Sequence, residues 1–347
     1  MSTREIPVIA GDGIGPEITQ AVLSIVDVAA VRAGTSIQWI PVVAGLGALE
    51  HGKELLPQRT MDEITRCKVA LKGPCTTPVG EGFTSINVKL RKAFNLYAAV
   101  RPVRSLPGVA TRYQDVDIVI IRENTEGLYS GVENEVTPGV VMSMKVASQN
   151  ACQRIATWAF KFANRRGREK VTVMHKANIM KLTDGLFLNC ADGVHEVDYP
   201  NIVFESTIID AGCMKLVQDP SQFDVLLLEN LYGDVVSDLC AGFVGGLGVV
   251  PGANFGDREA IFEAVHGSAP DIAGKDVANP LALLMSAVMM LNYLAEQDQQ
   301  ETFAACATAI RNAYDGCLQA GEKTRDLGGS LGTKAFAEAV IRRLEEG

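Results

Sequence analysis

Several residue types in this chain sit at spacings that could do chemistry. Thr84-Ser-Ile-Asn-Val-Lys-Leu-Arg91 opens a helical pattern with Ser85 at its start, where free backbone N–H groups favour anions. Asn87 and Arg91 are four apart and share a face. Arg101 and Arg104 follow in Val-Arg-Pro-Val-Arg at the end of a strand pattern, and Arg122-Glu-Asn-Thr-Glu-Gly-Leu-Tyr129 follows another. Arginine forks grip carboxylates with paired N–H bonds. Three arginines at strand and helix ends suit a substrate carrying three carboxylates. A lone arginine is more often a solvated charge, but this set is accompanied by Ser85, Asn87 and Tyr129.

A second set has the logic of a hard-metal site. Asn230-Leu-Tyr-Gly-Asp234-Val-Val-Ser-Asp238 puts two carboxylates at i and i+4 of a helical pattern. Like charges there repel by a few tenths of a kcal/mol unless a cation lies between them. Asp210 is a third carboxylate amid apolar residues, and oxygen ligands suit Mg²⁺ or Mn²⁺. The competing reading makes Asp234 a charge at a helix N-terminus. Lys176, in His-Lys-Ala-Asn, ends a strand pattern and is a candidate base if it is desolvated beside a metal. Gly-Asp-Gly-Ile-Gly-Pro at 11–16 invites a dinucleotide-binding reading, but G-x-G-x-x-G is broken by Pro16 and no acidic residue follows at the ribose position. It reads better as a tight strand-to-helix turn.

The elements that must position these residues alternate in an α/β pattern. Strand patterns cover Ile6–Ala10, Ile37–Val43, Val69–Lys72, Ala98–Val103, Ile118–Arg122, Val171–His175, Val203–Ile209 and Val225–Glu229. Helical patterns cover Pro16–Ala33, Ile86–Phe94, Met144–Asn164, Met180–Asn189, Asp234–Gly242 and three stretches near the C-terminus. Arg165-Arg166-Gly167 closes the third of these helices. Thr125–Val141 reads as an arm or hairpin.

The chain has 347 residues, 47% hydrophobic and 21% charged, so two domains with ample core are expected. A net charge of −9 argues against a nucleic-acid or anionic-membrane surface. Ala282–Leu291, the longest apolar stretch, is too short to span a bilayer and reads as a core or interface helix. Eight cysteines scattered through apolar stretches, with no CxxC pair, fit a reduced, cytoplasmic setting. The N-terminal residues carry no basic-then-apolar signal pattern.

Taken together, these segments resemble the isocitrate/isopropylmalate dehydrogenase family over nearly the whole chain. The carriers are Gly-Asp-Gly-Ile-Gly-Pro-Glu at 11–17, SINVKLRKAFNLYAAVRPV, IRENTEGLYSG, VHKANIMKLTDGLF, DPSQFDVLLLENLYGDVVSDLCAGFVGGLG and HGSAPDIAGKDVANP. The resemblance implies a two-domain α/β fold with a long mixed sheet that is not a Rossmann fold. A large cofactor-binding domain would take 1–99 and 255–347. A small dimerisation domain would take 100–254, with a clasp-like arm around 125–141. It implies a homodimer or larger assembly with shared active sites.

The implied reaction belongs to the tricarboxylic acid cycle: NAD-dependent oxidative decarboxylation of isocitrate to 2-oxoglutarate and CO₂. By this resemblance Thr77, Ser85, Asn87, Arg91, Arg101 and Arg122 contact substrate, Tyr129 donates a proton and Lys176 is the base. Asp234 and Asp238 would bind Mg²⁺ or Mn²⁺, with Asp210 of the partner subunit. Asn178, Glu263, His266, Gly267, Ser268, Ala269, Asp271, Ile272 and Asn279 would bind NAD. Asp271 and Ile272 stand where NADP-using relatives resemble Lys-Tyr, which favours NAD. The alternatives are a sister enzyme acting on homoisocitrate, isopropylmalate or tartrate, and a non-catalytic regulatory subunit. Ser85 and Asn87 speak against an apolar substrate pocket, and the intact Arg/Tyr/Lys/Asp set speaks against a regulatory subunit.

Overall fold

The computed structural model describes residues 3–50, 54–76 and 85–346. The chain forms two compact units. The first is Met1–Phe94, Leu106–Arg112 and Val244–Gly347, and the second is Asn95–Ser105 and Tyr113–Phe243.

The first unit opens with β1 (Thr3–Ile9), α1 (Gly15–Arg32), β2 (Ser36–Val42), α2 (Leu46–Glu50), α3 (Gln58–Cys67), β3 (Val69–Lys72) and α4 (Ile86–Ala93). The second holds β4 (Ala98–Arg104), β5 (Asp117–Glu123), β6 (Gly127–Thr137), β7 (Val140–Val146), α5 (Gln149–Arg165) and β8 (Lys170–His175). It continues through α6 (Thr183–Asp198), β9 (Val203–Ile208), α7 (Ile209–Gln218), β10 (Val225–Leu228) and α8 (Asn230–Val244). The chain then returns to the first unit with β11 (Pro251–Phe255), β12 (Ala260–Ala264), α9 (Leu281–Asp298), α10 (Glu301–Gln319) and α11 (Thr333–Glu346).

In the first unit the strands lie in the order β2-β1-β3-β12-β11, parallel except for the β12–β11 pair. In the second the order is β4-β5-β10-β8-β9, with only β4–β5 antiparallel. Parallel neighbours need crossover helices, and strands covered on both faces read as continuous apolar runs. Val225–Leu228 and Val69–Lys72 are buried along their whole length. This is the expected mixed α/β architecture, and neither strand order is that of a Rossmann fold. Gly-Asp-Gly-Ile-Gly-Pro is the turn from β1 into α1, with Pro16 in the helix's first turn. Helix α9 is buried from Leu281 through Val288 and again at Met290, Leu291 and Leu294, so the long apolar stretch is a core helix. Among the described residues no helix is long and apolar enough to cross a membrane.

Some elements differ from the sequence reading. The helix expected from Met144 starts at Gln149 instead, because Val140–Val146 pairs with β6 as the second strand of a hairpin. Ser148 then caps α5, its hydroxyl accepting from Ala151 N. Helix α8 starts at Asn230 rather than Asp234, so Asp234 lies a full turn inside the helix and is not an N-terminal charge. Strands β11 and β12 and helices α2, α3 and α7 were not anticipated. Pro251 and Gly252 masked β11, and Ala260–Ala264 is too short for its period to distinguish strand from helix.

Candidate functional site

In the second unit Arg122 ends β5 and is 1% exposed. Its Nε and Nη2 donate to Asn230 Oδ1 at 3.0 and 2.6 Å, and its Nη1 donates to the Asp234 carboxylate. Arg101, on β4, lies 3.4 Å from Asp234 and 3.3 Å from Asp238 and also donates to the Ser237 hydroxyl. Tyr129, on β6, donates its hydroxyl to the other Asp234 oxygen, with the Arg122 guanidinium 5.0 Å above its ring. Three of the expected site residues thus converge on the carboxylates of α8.

Gly233 makes this approach possible. A Cβ there would lie 2.6–2.7 Å from the Arg122 Cγ and Cβ. Burial pushes the Asp238 carboxyl up, and the like charge of Asp234 adds to it, against the opposing pull of Arg101. Burial and its bond to Asp234 likewise raise the Tyr129 hydroxyl, which therefore keeps its proton at neutral pH.

Lys176 follows β8, and its ammonium donates to Asp210 Oδ1 at 2.7 Å. That bond holds the Asp210 carboxyl below its usual range. The Lys176 backbone N–H is held at 2.7 Å by Asp184, 2% exposed, whose other oxygen takes the Lys145 ammonium at 2.5 Å. Asn178 is exposed two residues on. Asp210 is therefore paired with Lys176, and among the described residues no three His, Cys, Asp or Glu side chains cluster as metal ligands. Asp234 and Asp238 remain 35% and 52% exposed. An all-oxygen pair with open faces and mutual repulsion fits a hard divalent cation such as Mg²⁺ or Mn²⁺.

In the first unit Ser85 occupies the N-cap position of α4 without a side-chain cap bond. Asn87 lies one turn before Arg91, and its buried Oδ1 has no hydrogen-bond partner among the described residues. Such an orphan is what a ligand-facing amide leaves. Thr77 lies outside the described residues. Glu263, on β12, is buried against Lys72 at 2.5 Å and accepts from Asn254 at 2.7 Å, with Arg91 at 3.9 Å. His266 through Ala269 form the turn after β12, and burial lowers the His266 imidazole. Asp271 and Ile272 follow on an exposed turn. Asn279, just before α9, accepts from Leu281 N at 3.0 Å and donates to Asp326 at 2.9 Å.

Sequence reasoning missed Lys72, Lys145, Asp184 and Gly233. The signal for Lys72 was a lysine ending the apolar run Val-Ala-Leu-Lys. Asp184 and Gly233 act through backbone contacts that residue type does not announce.

These features, an α/β chain with arginines and a tyrosine converging on paired aspartates, define a class, and comparison with known proteins gives it a family. The model of the isocitrate/isopropylmalate dehydrogenase family matches residues 5–340, and the chain belongs to that family. It is 49% identical over 336 residues to the mitochondrial NAD isocitrate dehydrogenase catalytic subunit 5 of Arabidopsis thaliana, covering 96% of this chain and 87% of that one. It is 47% identical over 349 residues to the mitochondrial NAD isocitrate dehydrogenase subunit alpha of Homo sapiens, covering 99% and 91%. The crystal structure of isocitrate dehydrogenase from Methylococcus capsulatus superposes with a TM-score of 0.91 at 44% identity, covering 98% of this chain and 99% of that one.

Proposed function

We propose that this chain is a catalytic, NAD-dependent isocitrate dehydrogenase. It oxidises and decarboxylates isocitrate to 2-oxoglutarate and CO₂ as a step of the tricarboxylic acid cycle. The observation that carries the reading is the convergence of Arg101, Arg122 and Tyr129 on Asp234 and Asp238, backed by relatives of that activity at 47% and 49% identity.

Ser85, Asn87, Arg91, Arg101 and Arg122 receive the substrate carboxylates, with Thr77 beside them. Asp234 and Asp238, with Asp210 of the partner subunit, would hold the metal. When bound, NAD⁺ would supply the hydride acceptor, and Mg²⁺ or Mn²⁺ the positive charge that polarises a hydroxyl or carbonyl oxygen. Lys176 accepts the hydroxyl proton, a role its loop supports by fixing the residue's backbone through Asp184. Tyr129, protonated at neutral pH, returns a proton to carbon after CO₂ leaves. Asn178, Glu263, His266–Ala269, Asp271, Ile272 and Asn279 serve the dinucleotide. The Asp271 carboxylate disfavours a ribose phosphate, by roughly 30-fold in kcat/KM after screening.

A homodimer or larger homo-oligomer is part of the same reading. Its support is the β6–β7 hairpin, which exposes Val136, Val140, Val141, Met142 and Met144. A reducing, cytoplasmic setting is supported by the buried free thiols of Cys67, Cys152, Cys240, Cys306 and Cys317.

Initial rates with isocitrate, isopropylmalate and homoisocitrate, each with NAD⁺ and NADP⁺, test the proposal. Turnover is expected with isocitrate and NAD⁺, abolished by EDTA and restored by Mg²⁺ or Mn²⁺. Faster turnover of another acid, better use of NADP⁺, or full activity without metal would overturn the corresponding part.

A further inference from the structure

The glycine-rich turn at 11–16 is no phosphate loop, yet its one acidic residue is unusually engaged. Asp12 Oδ1 accepts from Gly47 N at 2.9 Å, and Oδ2 accepts from Thr76 N at 2.7 Å and Leu46 N at 3.2 Å. One carboxylate thus joins the start of α2 to the 73–76 segment that runs on toward Thr77. The backbone on both sides of it is engaged as well. Asp12 N donates to Pro74 O at 2.7 Å, and Ile14 N donates to Ser268 O at 2.8 Å.

Gly13 adopts a φ of +59°, and a Cβ there would fall 2.1 Å from the Ser268 oxygen, so only glycine permits this approach. The Thr76 and Ser268 hydroxyls close the circuit at 2.5 Å. Three segments far apart in sequence thus meet on the 12–14 turn, and one of them, 266–269, contains positions given to the dinucleotide.

We propose that Asp12 is a positioning residue for the cofactor. Its carboxylate fixes the 73–76 segment, and through the Thr76–Ser268 contact the 266–269 turn, in the geometry the dinucleotide meets. The inference rests on the proposed NAD use and deepens it. Hydrogen bonds to a carboxylate are the stronger kind, so losing three at once should loosen the segment measurably.

Asp12→Ala and Asp12→Asn test this by amide hydrogen exchange on the ligand-free protein, by NADH titration, and by steady-state kinetics. Exchange at Gly47 and Thr76 is expected to accelerate at least tenfold in Asp12→Ala. NADH affinity should fall and KM for NAD⁺ rise by about tenfold, while KM for isocitrate stays within about twofold. Asp12→Asn, which keeps one carbonyl acceptor, should shift the same quantities less, and it carries the test if Asp12→Ala does not fold. Unchanged exchange at Thr76, or isocitrate and NAD⁺ constants that rise together, would overturn the positioning role. An unsubstituted protein that binds no NADH would instead sink the proposed function, and the cofactor part of this inference with it.

Discussion

Lys72 and Glu263 form a buried ion pair in the first unit. Burial alone would raise the Glu263 carboxyl. The Lys72 ammonium, with Arg91 and the Asn254 amide behind it, outweighs burial and brings the carboxyl from 4.5 down to about 2. A depressed carboxyl contributes stability that is fully present above its unfolded value, and that stability is lost as pH falls through the folded one. The difference is about 3 kcal/mol. Glu263→Gln should therefore be less stable than the parent by about 3 kcal/mol or more near pH 6, since Lys72 is left buried without its charge partner. Urea unfolding across the acid range should show that gap closing between about pH 4.5 and pH 2; a gap independent of pH would refute the assignment. At this scale the sequence was informative about residue type and poor about company. Arg101, Arg122 and Tyr129 were legible as a set and by family resemblance, since any one arginine alone reads as a solvated charge. That Lys72 partners Glu263 depends on β3 lying beside β12, 191 residues away in sequence.

At the scale of elements, α8 shows how a helix is fitted to a site. An exposed helical glycine normally costs up to about 1 kcal/mol relative to alanine. At Gly242, where a Cβ would meet nothing within 4 Å, Gly242→Ala should recover some of that stability. At Gly233 the same methyl would strike the Arg122 stem, close to where the strand fixes it. Overpacking of this kind costs about 1–3 kcal/mol and here displaces an arginine fork. Gly233→Ala should lower kcat/KM for isocitrate at least tenfold, with a fall of a few degrees in melting temperature; retained kcat/KM would show that Arg122 tolerates the shift. The paired aspartates were readable from i,i+4 spacing, but the helix start was not, because Asn230-Leu-Tyr-Gly carries a glycine that a propensity reading treats as a break. The hairpin was readable in part. Its turn residues were evident, while the apolar–polar alternation of Met142-Ser-Met-Lys-Val146 is too short to stand apart from the helix behind it.

At the scale of the molecule, both halves of the α/β pattern were evident from alternating apolar runs. The return of residues 106–112 to the first unit was not, since only tertiary contacts define it. The proposed assembly makes a test at this scale possible. If Lys176 serves the partner's site, Lys176→Met and Arg91→Ala should each be nearly inactive. Their mixed dimers should regain activity, because one of the two sites is free of both changes. Heterodimers demonstrated by mass spectrometry that show no recovery would mean Lys176 acts within its own subunit.

The β6–β7 hairpin has a consequence of another kind. A two-stranded ribbon is marginal alone in water, and this one turns valines and methionines outward along most of its length. On the dimer reading, its order is supplied by a second copy, so the number of chains per litre enters the equilibrium beside temperature and pH. Dilution then acts as a denaturant, thinning out working sites while each chain's own core, centred on α9 in the first unit, stays intact.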